Sequence, residues 1–139
     1  EMNRRVARSF QDLSSPAERL ARGMRLYIRH AHDEPEWGRF ICRFALNSLA
    51  LRQLWAGLPI NDISQGIADG IYHFDREQLA SVFGLIAGAV LTAMMLVLEG
   101  HKTWRDAGQD STEMVLRALG VAQKKARLIA RMELPALPE

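Results

Sequence analysis

The order of apolar and polar positions divides this chain into helical stretches, the longest of them at residues 79–98. That run, LASVFGLIAGAVLTAMMLVL, holds twenty residues without a charge. Asp75, Arg76 and Glu77 stand before it, and Glu99, His101 and Lys102 after it. No proline interrupts it, so the pattern predicts one continuous helix roughly 30 Å long. A bilayer span is the alternative, since that length also matches the hydrocarbon layer. Three features weigh against it. No Trp or Tyr marks either end. The remaining segments are amphipathic, as in a soluble helical domain. The apolar residues are also sorted by size around the helix: Ala80, Gly84, Ala87 and Gly88 cluster on one side with Leu91, Met95 and Leu98, while Val82, Phe83, Ile86, Val90 and Val97 lie opposite. Gly84 and Gly88 form a GxxxG spacing that lets another backbone approach closely. A helix apolar all round needs cover all round. One face is therefore expected on its own domain and the small-residue face on a partner helix, with a second copy of the chain as the candidate.

The other segments read in order. Residues 1–13 have helical spacing at Val6, Phe10 and Leu13. Ser14 and Ser15 end that stretch. Ser15, Pro16 and Glu18 then open a second helix as a capping box with Pro at its first position, and Leu20, Met24, Tyr27, Ile28 and Ala31 form its apolar stripe. Pro35 opens a third, with Trp37, Phe40, Ile41 and Phe44 on the inward face and Asn47 close to it. Ser48 is expected to cap a short helix through Leu49, Leu51, Leu54 and Trp55, closed by Gly57 and Pro59. Asn61 or Asp62 starts another, through Ile63 and Ile67, with Gly70 in the left-handed position beyond its end. Residues 71–74 read as an extended link, and Asp75 with Gln78 caps the long helix. HKTWRDAGQD reads as a polar connection, after which Asp110 and Glu113 cap a helix carrying Met114, Val115, Ala118 and Leu119 and stopped by Gly120. Residues 122–132 form a basic amphipathic segment, and the tail LPALPE is expected to fray. With no alternating pattern anywhere, the expected class is all-α, with seven or eight helices around one long central helix.

Composition changes this picture little. At 139 residues the chain has the length of one domain, and its net charge of +2 names no partner. Seven of its arginines fall in the first thirty residues; a solvated helix face is the expected reason, nearness to a polyanion the alternative. A single cysteine, Cys42, rules out an internal disulfide and fits a reducing compartment, so a cytoplasmic location is expected. EMNRRVARSF lacks the apolar region of a signal peptide. His30 and His32, two apart on a helix, point about 200° away from each other and cannot chelate one ion. No HExxH or ExxH spacing occurs, so no metal and no cofactor are expected. Cys42 reads as a buried inert thiol, and Asp33, Glu34 and Glu36 as acidic residues at a helix start. GIADG does not follow a strand, so it is not read as a phosphate loop. Nothing here composes an enzyme. The remaining asset is a group of bulky residues from four helices: Phe10, Met24, Tyr27, Ile28, Trp37, Phe40, Phe44 and Phe83. They either fill a core or line an apolar cavity, with Asn47, Tyr27 or His30 supplying directional contacts.

The stretches ISQGIADGIYHFDREQLASVFGLIAGAV and STEMVLRALGV resemble, in order and spacing, the C-terminal effector-binding and dimerisation domain of the tetracycline-repressor (TetR) family of bacterial transcription regulators. PEWGRFICRFAL looks like the sixth helix of some members. The likeness covers nearly the whole chain. It implies that residues 75–99 and 110–119 form a four-helix bundle with the same pair from a second subunit. Ala80, Gly84, Ala87, Gly88, Leu91, Met95, Met114, Val115 and Ala118 would lie at that interface. It further implies a small apolar or amphipathic effector bound among the middle helices, at Phe10, Met24, Tyr27, Ile28, Trp37, Phe40, Phe44, Asn47 and Phe83. The chain would be one ligand-binding and dimerisation domain, residues 1–139, of a regulator expected to be a repressor. Residues 1–13 would be the remainder of the helix joining it to a DNA-reading head. That helix-turn-helix head is absent from these residues, which hold no recognition helix. The alternative is a helical protein-interaction module without a ligand.

Overall fold

The computed structural model describes residues 1–47 and 60–139. Among these the chain forms seven α-helices and no strand: α1 Met2–Arg8, α2 Pro16–Asp33, α3 Pro35–Phe44, α4 Ile60–Ala68, α5 Leu79–Leu98, α6 Trp104–Ala118 and α7 Gln123–Ala130. A single 3₁₀ turn, Arg76–Gln78, leads into α5. The all-α expectation holds. The short helix expected after Ser48, through Leu49, Leu51, Leu54 and Trp55 to Gly57 and Pro59, lies outside the described residues.

Helix α2 is the axis on which the others pack. Ser15 is extended and Pro16 takes the first helical position, where its fixed φ fits and its missing N–H costs nothing. The Ser15 side chain makes no cap hydrogen bond, so Pro16 marks this start without the expected box. The first half of α2 joins α4, α5, α6 and α7 in one core that includes Leu20, Met24, Ile63, Phe83, Ile86 and Leu116. Its second half packs Ile28 and Ala31 against Ala93 and Met94 of α5 and Ala107 of α6, with Trp37 and Ile41 of α3 alongside.

The arginines of α2 are not the solvated face that the sequence suggests. Arg22 and Arg25 are 9% and 6% exposed. Arg22 donates to the Ser9 carbonyl and grips Asp12 through both terminal nitrogens, at 2.6 and 3.3 Å. Arg25 donates to the Met132 carbonyl at 2.6 Å. A buried guanidinium requires such partners, and here the turn after α1 and the segment after α7 supply them. The tail does not simply fray. Arg5 of α1 donates to the Pro138 carbonyl at 2.7 Å, laying residues 132–138 back across α1 and α2.

Three further boundaries differ from the sequence reading. The first helix ends at Arg8, short of residue 13. Helix α6 begins at Trp104, six residues before Asp110, because Thr103 accepts the Asp106 N–H at 3.1 Å. Gly108 does not break it; a Cβ there would already touch the Arg25 stem at 3.4 Å, so the glycine brings α6 close to α2. Helix α3 turns a different face inward. Gly38 and Ala45 are buried while Phe40 is 59% and Phe44 37% exposed. The crossing rests on small residues, with a Cβ at Gly38 falling 3.0 Å from that of Ala31.

At the end of α4, Gly70 takes φ +71, and the N–H groups of Ile71 and Tyr72 both reach the Gly66 carbonyl, at 2.8 and 3.0 Å. This closure folds the Tyr72 ring flat onto Gly66, where a Cβ would lie 2.3 Å from the ring. Gly66→Ala therefore cannot be accommodated without moving a buried ring. A loss of about 1–3 kcal/mol is expected in urea unfolding; an unchanged midpoint would show that the ring has room to yield.

Candidate functional site

A short helix laid across a longer one leaves a gap wherever the residues between them are small. Helix α1 crosses α2 at Gly23, whose absent side chain leaves the Phe10 ring 3.4 Å and Val6 3.7 Å from where a Cβ would stand. Beside this crossing lies a cavity of about 270 Å³. Its walls are Asn3, Val6, Ala7 and Phe10 of α1 and the following turn, Arg19, Leu20, Gly23, Met24 and Tyr27 of α2, Asp62 of α4, and Ile86 and Val90 of α5. The lining is mostly apolar with few polar groups, as small-molecule sites are.

The polar groups are arranged at its ends. Arg19 and Asp62 form a two-pronged pair, Nε to Oδ2 and Nη2 to Oδ1, both at 3.0 Å, and the remaining Arg19 nitrogen donates to the Leu13 carbonyl at 3.0 Å. Tyr27 stands elsewhere on the wall, its ring 6.1 Å from that of Trp37. Burial pushes its hydroxyl up to about 12. His30 meets the Trp37 edge at 4.6 Å, and burial, then the charge of Arg5, holds its imidazole below the ordinary value. Behind the wall, Tyr72 is buried and its hydroxyl has no hydrogen-bond partner among the described residues.

Of the residues singled out from sequence, Phe10, Met24 and Tyr27 are brought together on this cavity. Ile28 and Phe83 are buried in the two cores, and Trp37 is half-buried beside Tyr27. Phe40, Phe44 and Asn47 stand on the exposed side of α3 and its end. Sequence reasoning missed the α1 wall beyond Phe10, the floor glycine Gly23, the Arg19–Asp62 pair, and Ile86 and Val90. Val6 and Phe10 share helical spacing and offered a signal; the ion pair, 43 residues apart, offered none. Cys42 is half-buried and burial pushes its thiol up, as an inert cysteine requires.

A larger trough of about 650 Å³ runs past His32, Val97, Lys102 and Trp104. It is open, and two of its cations are already engaged: Lys102 pairs with Asp110, and the Arg105 guanidinium lies 4.9 Å from the Trp104 ring. The smaller, more apolar cavity is the stronger candidate for a ligand site.

A second surface stands out on the far side of α5. Among the described residues, nothing lies within 4 Å of where side chains at Gly84 and Gly88 would begin. Ala80, Leu85 and Met95 are exposed beside them, with Ala87 and Leu91 half-exposed. On α6, Met114 and Ala118 are exposed, whereas Val115 is 3% exposed and belongs to the chain's own core.

The family described as tetracycline repressor-like, C-terminal domain, matches residues 15–132. Two solved structures share the fold. RolR in complex with resorcinol superposes with a TM-score of 0.81 at 23% identity, over 98% of this chain and 66% of that one. RolR without ligand gives 0.76 at 24% identity, over 98% and 69%. The chain thus spans about two thirds of the length of RolR. No curated protein sequence matches it.

The chain's two tyrosines, Tyr27 and Tyr72, are both raised by burial, Tyr72 also by Asp62 against the opposing effect of Arg19. The unfolded chain loses these protons near pH 10, while the folded chain keeps them. Above pH 10 the unfolded state therefore binds fewer protons, and stability falls as pH rises towards about 12. The slope is at most about 1.4 kcal/mol per pH unit for each tyrosine. Tyr27→Phe should make that decline shallower in urea titrations at stepped pH. Phenolate absorbance appearing near pH 10 in the folded protein would show the rings to be solvated.

Proposed function

The chain belongs to the tetracycline repressor-like C-terminal domain family, and from that premise we propose that it is the effector-sensing and dimerising part of a transcriptional regulator. A small apolar or amphipathic molecule binds in the cavity under α1, and two copies associate through the open face of α5 and α6. The observation that carries this reading is the cavity's α1 wall. Helix α1 has one apolar residue buried, Val6, and contributes four of the twelve lining residues with the turn that follows it. A ligand there touches the element that leads to the chain's N-terminal side. In the family's pattern that side carries the DNA-reading head, so DNA contact belongs to a head outside residues 1–139, and repression is the expected mode.

The mechanism needs binding only. An effector that fits one setting of α1 better than another shifts the population of the two settings, and with it the spacing of two heads. No bond is made or broken, in keeping with a family of regulators, and the expected location is the cytoplasm. RolR, similar in fold, has been solved holding resorcinol; a ring of that size suits a 270 Å³ space. The dimer face is supported by the open Gly84 and Gly88 and by the lack of any charge on α5.

Two measurements test the two halves. Gly23→Leu projects a side chain into the cavity towards Phe10 and Val6, so resorcinol affinity by calorimetry should fall at least tenfold while the dimer persists. If wild-type protein takes up no small molecule at millimolar resorcinol and co-purifies with none, the protein-interaction module becomes the better reading. Gly84→Leu and Gly88→Leu should yield monomers at micromolar concentration in light scattering; a persisting dimer would place the interface elsewhere.

A further inference from the structure

The Arg19–Asp62 pair gives the cavity a polar end of unusual balance. Both side chains line the cavity, and both stay largely shielded, with 18% and 25% of each side chain exposed. Their charges cancel through two 3.0 Å contacts, and a third Arg19 donor is held by the Leu13 carbonyl. Three of the five guanidinium donors are so engaged, while each Asp62 oxygen, accepting one such bond, keeps a further lone pair. We propose that this pair selects the effector's chemical class: a neutral ring bearing a hydroxyl that donates to Asp62, in preference to a carboxylate of the same size. The proposal rests on the cavity being the effector site, as above.

The physical reason is what each ligand must disturb. A hydroxyl adds a charge-assisted hydrogen bond to Asp62 and leaves the pair intact. A carboxylate meets the Asp62 charge at close range, so any bond it makes to the two remaining Arg19 donors is opposed by the carboxylate already paired there. A bare hydrocarbon ring fits but forms no such bond. Tyr27, the other hydroxyl on the wall, does not discriminate between these ligands by charge, because it stays protonated at neutral pH.

The test is calorimetry at pH 7 with phenol, benzoate and toluene as probes. Wild-type protein should bind phenol about tenfold more tightly than toluene and exclude benzoate. Asp62→Asn keeps the shape, removes the charge and frees Arg19, so phenol should weaken about tenfold and benzoate should now bind more tightly than phenol. The double variant Arg19→Gln/Asp62→Asn has neither charge; it should bind toluene like wild type and lose the preference for phenol without gaining one for benzoate. Far-UV circular dichroism verifies the fold, and the double variant decides the matter where Asp62→Asn alone fails to fold. An unchanged phenol-to-benzoate ratio in the variants, or an equal loss of all three probes, overturns the assignment of selectivity to the pair. Wild-type protein that binds none of the three while remaining dimeric fails one step earlier, on the cavity itself.

Discussion

A helix of twenty uncharged residues has to be covered on every side, and among the described residues α5 is covered on only one. Just 39% of its most apolar window is buried. The inner face, with Val82, Phe83, Ile86, Ala93 and Met94, holds α2, α3 and α6 in place. The outer face is mostly glycine, alanine, leucine and methionine, with Ser81 and Thr92 also exposed, and among the described residues nothing stands above its two glycines. By length and composition such a helix would also suit a bilayer. The family assignment and the small residues of the outer face favour a second protein helix, because glycines allow backbones to approach where lipid tails gain nothing from them. The same helix then serves both proposed functions. Ile86 and Val90 line the cavity from one side of α5, and Gly84, Gly88 and Leu91 stand on the other. A ligand and a partner subunit would press on the same few turns.

The second organising constraint is the series Arg19, Arg22 and Arg25, spaced three apart on α2. Each arginine ties a different remote segment to this axis. Arg19 holds α4 through Asp62, Arg22 holds the turn after α1 through Ser9 and Asp12, and Arg25 holds the end of the chain through Met132. The Arg22 guanidinium keeps the Asp12 carboxyl below the usual carboxylate range. Three of their five partners, Ser9, Leu13 and Met132, are met at backbone carbonyls, which no pattern of residue types can announce. That is why a run of arginines on an amphipathic helix reads as a solvated face in sequence and proves to be a set of cross-links.

The fold was legible where a residue type acts through its own backbone. Pro16 and Pro35 start helices at their first positions, Gly70 adopts the left-handed turn, and the Asp75 N–H reaches the Gln78 side chain at 3.2 Å as a capping pair should. It was misread where a small residue acts through packing. The stretch holding Gly108 read as a polar connection and is the first half of α6, with Gly108 in contact with α2, and α3 turned roughly a quarter-turn from its bulky stripe to bury Gly38, which admits a close approach to Ala31. The site was half legible for the same reason. Phe10, Met24 and Tyr27 line the cavity because bulk on an inward face tends to reach a void. The rest of the wall includes Gly23, which lets α1 cross close, and the Arg19–Asp62 pair, two facts about absence and distance that periodicity does not carry.

The slightness of α1 follows from its length and is what suits it to signalling. Seven residues make fewer than two turns, and a helix that short is unstable by itself because nucleation outweighs so few backbone bonds. It holds its shape only through what it touches: the Val6 contact below, the Arg5 bond to Pro138 above, and the Arg22 bonds to the turn behind. A cavity beside such an element leaves part of its apolar surface without a partner. Filling it would bury ~50 Å² more, chiefly of Ala7 and Phe10, about 1.3 kcal/mol at ~25 cal/mol per Å², or roughly a tenfold shift in the population of the ordered setting. Contacts deeper in α2 or α5 would stabilise the domain by similar amounts and move nothing, because those helices are already fixed by two cores. The proposed effect of a ligand on α1 would be large because α1 has so little else to hold it. Under that proposal the rigid helices serve recognition and the weakest helix the response.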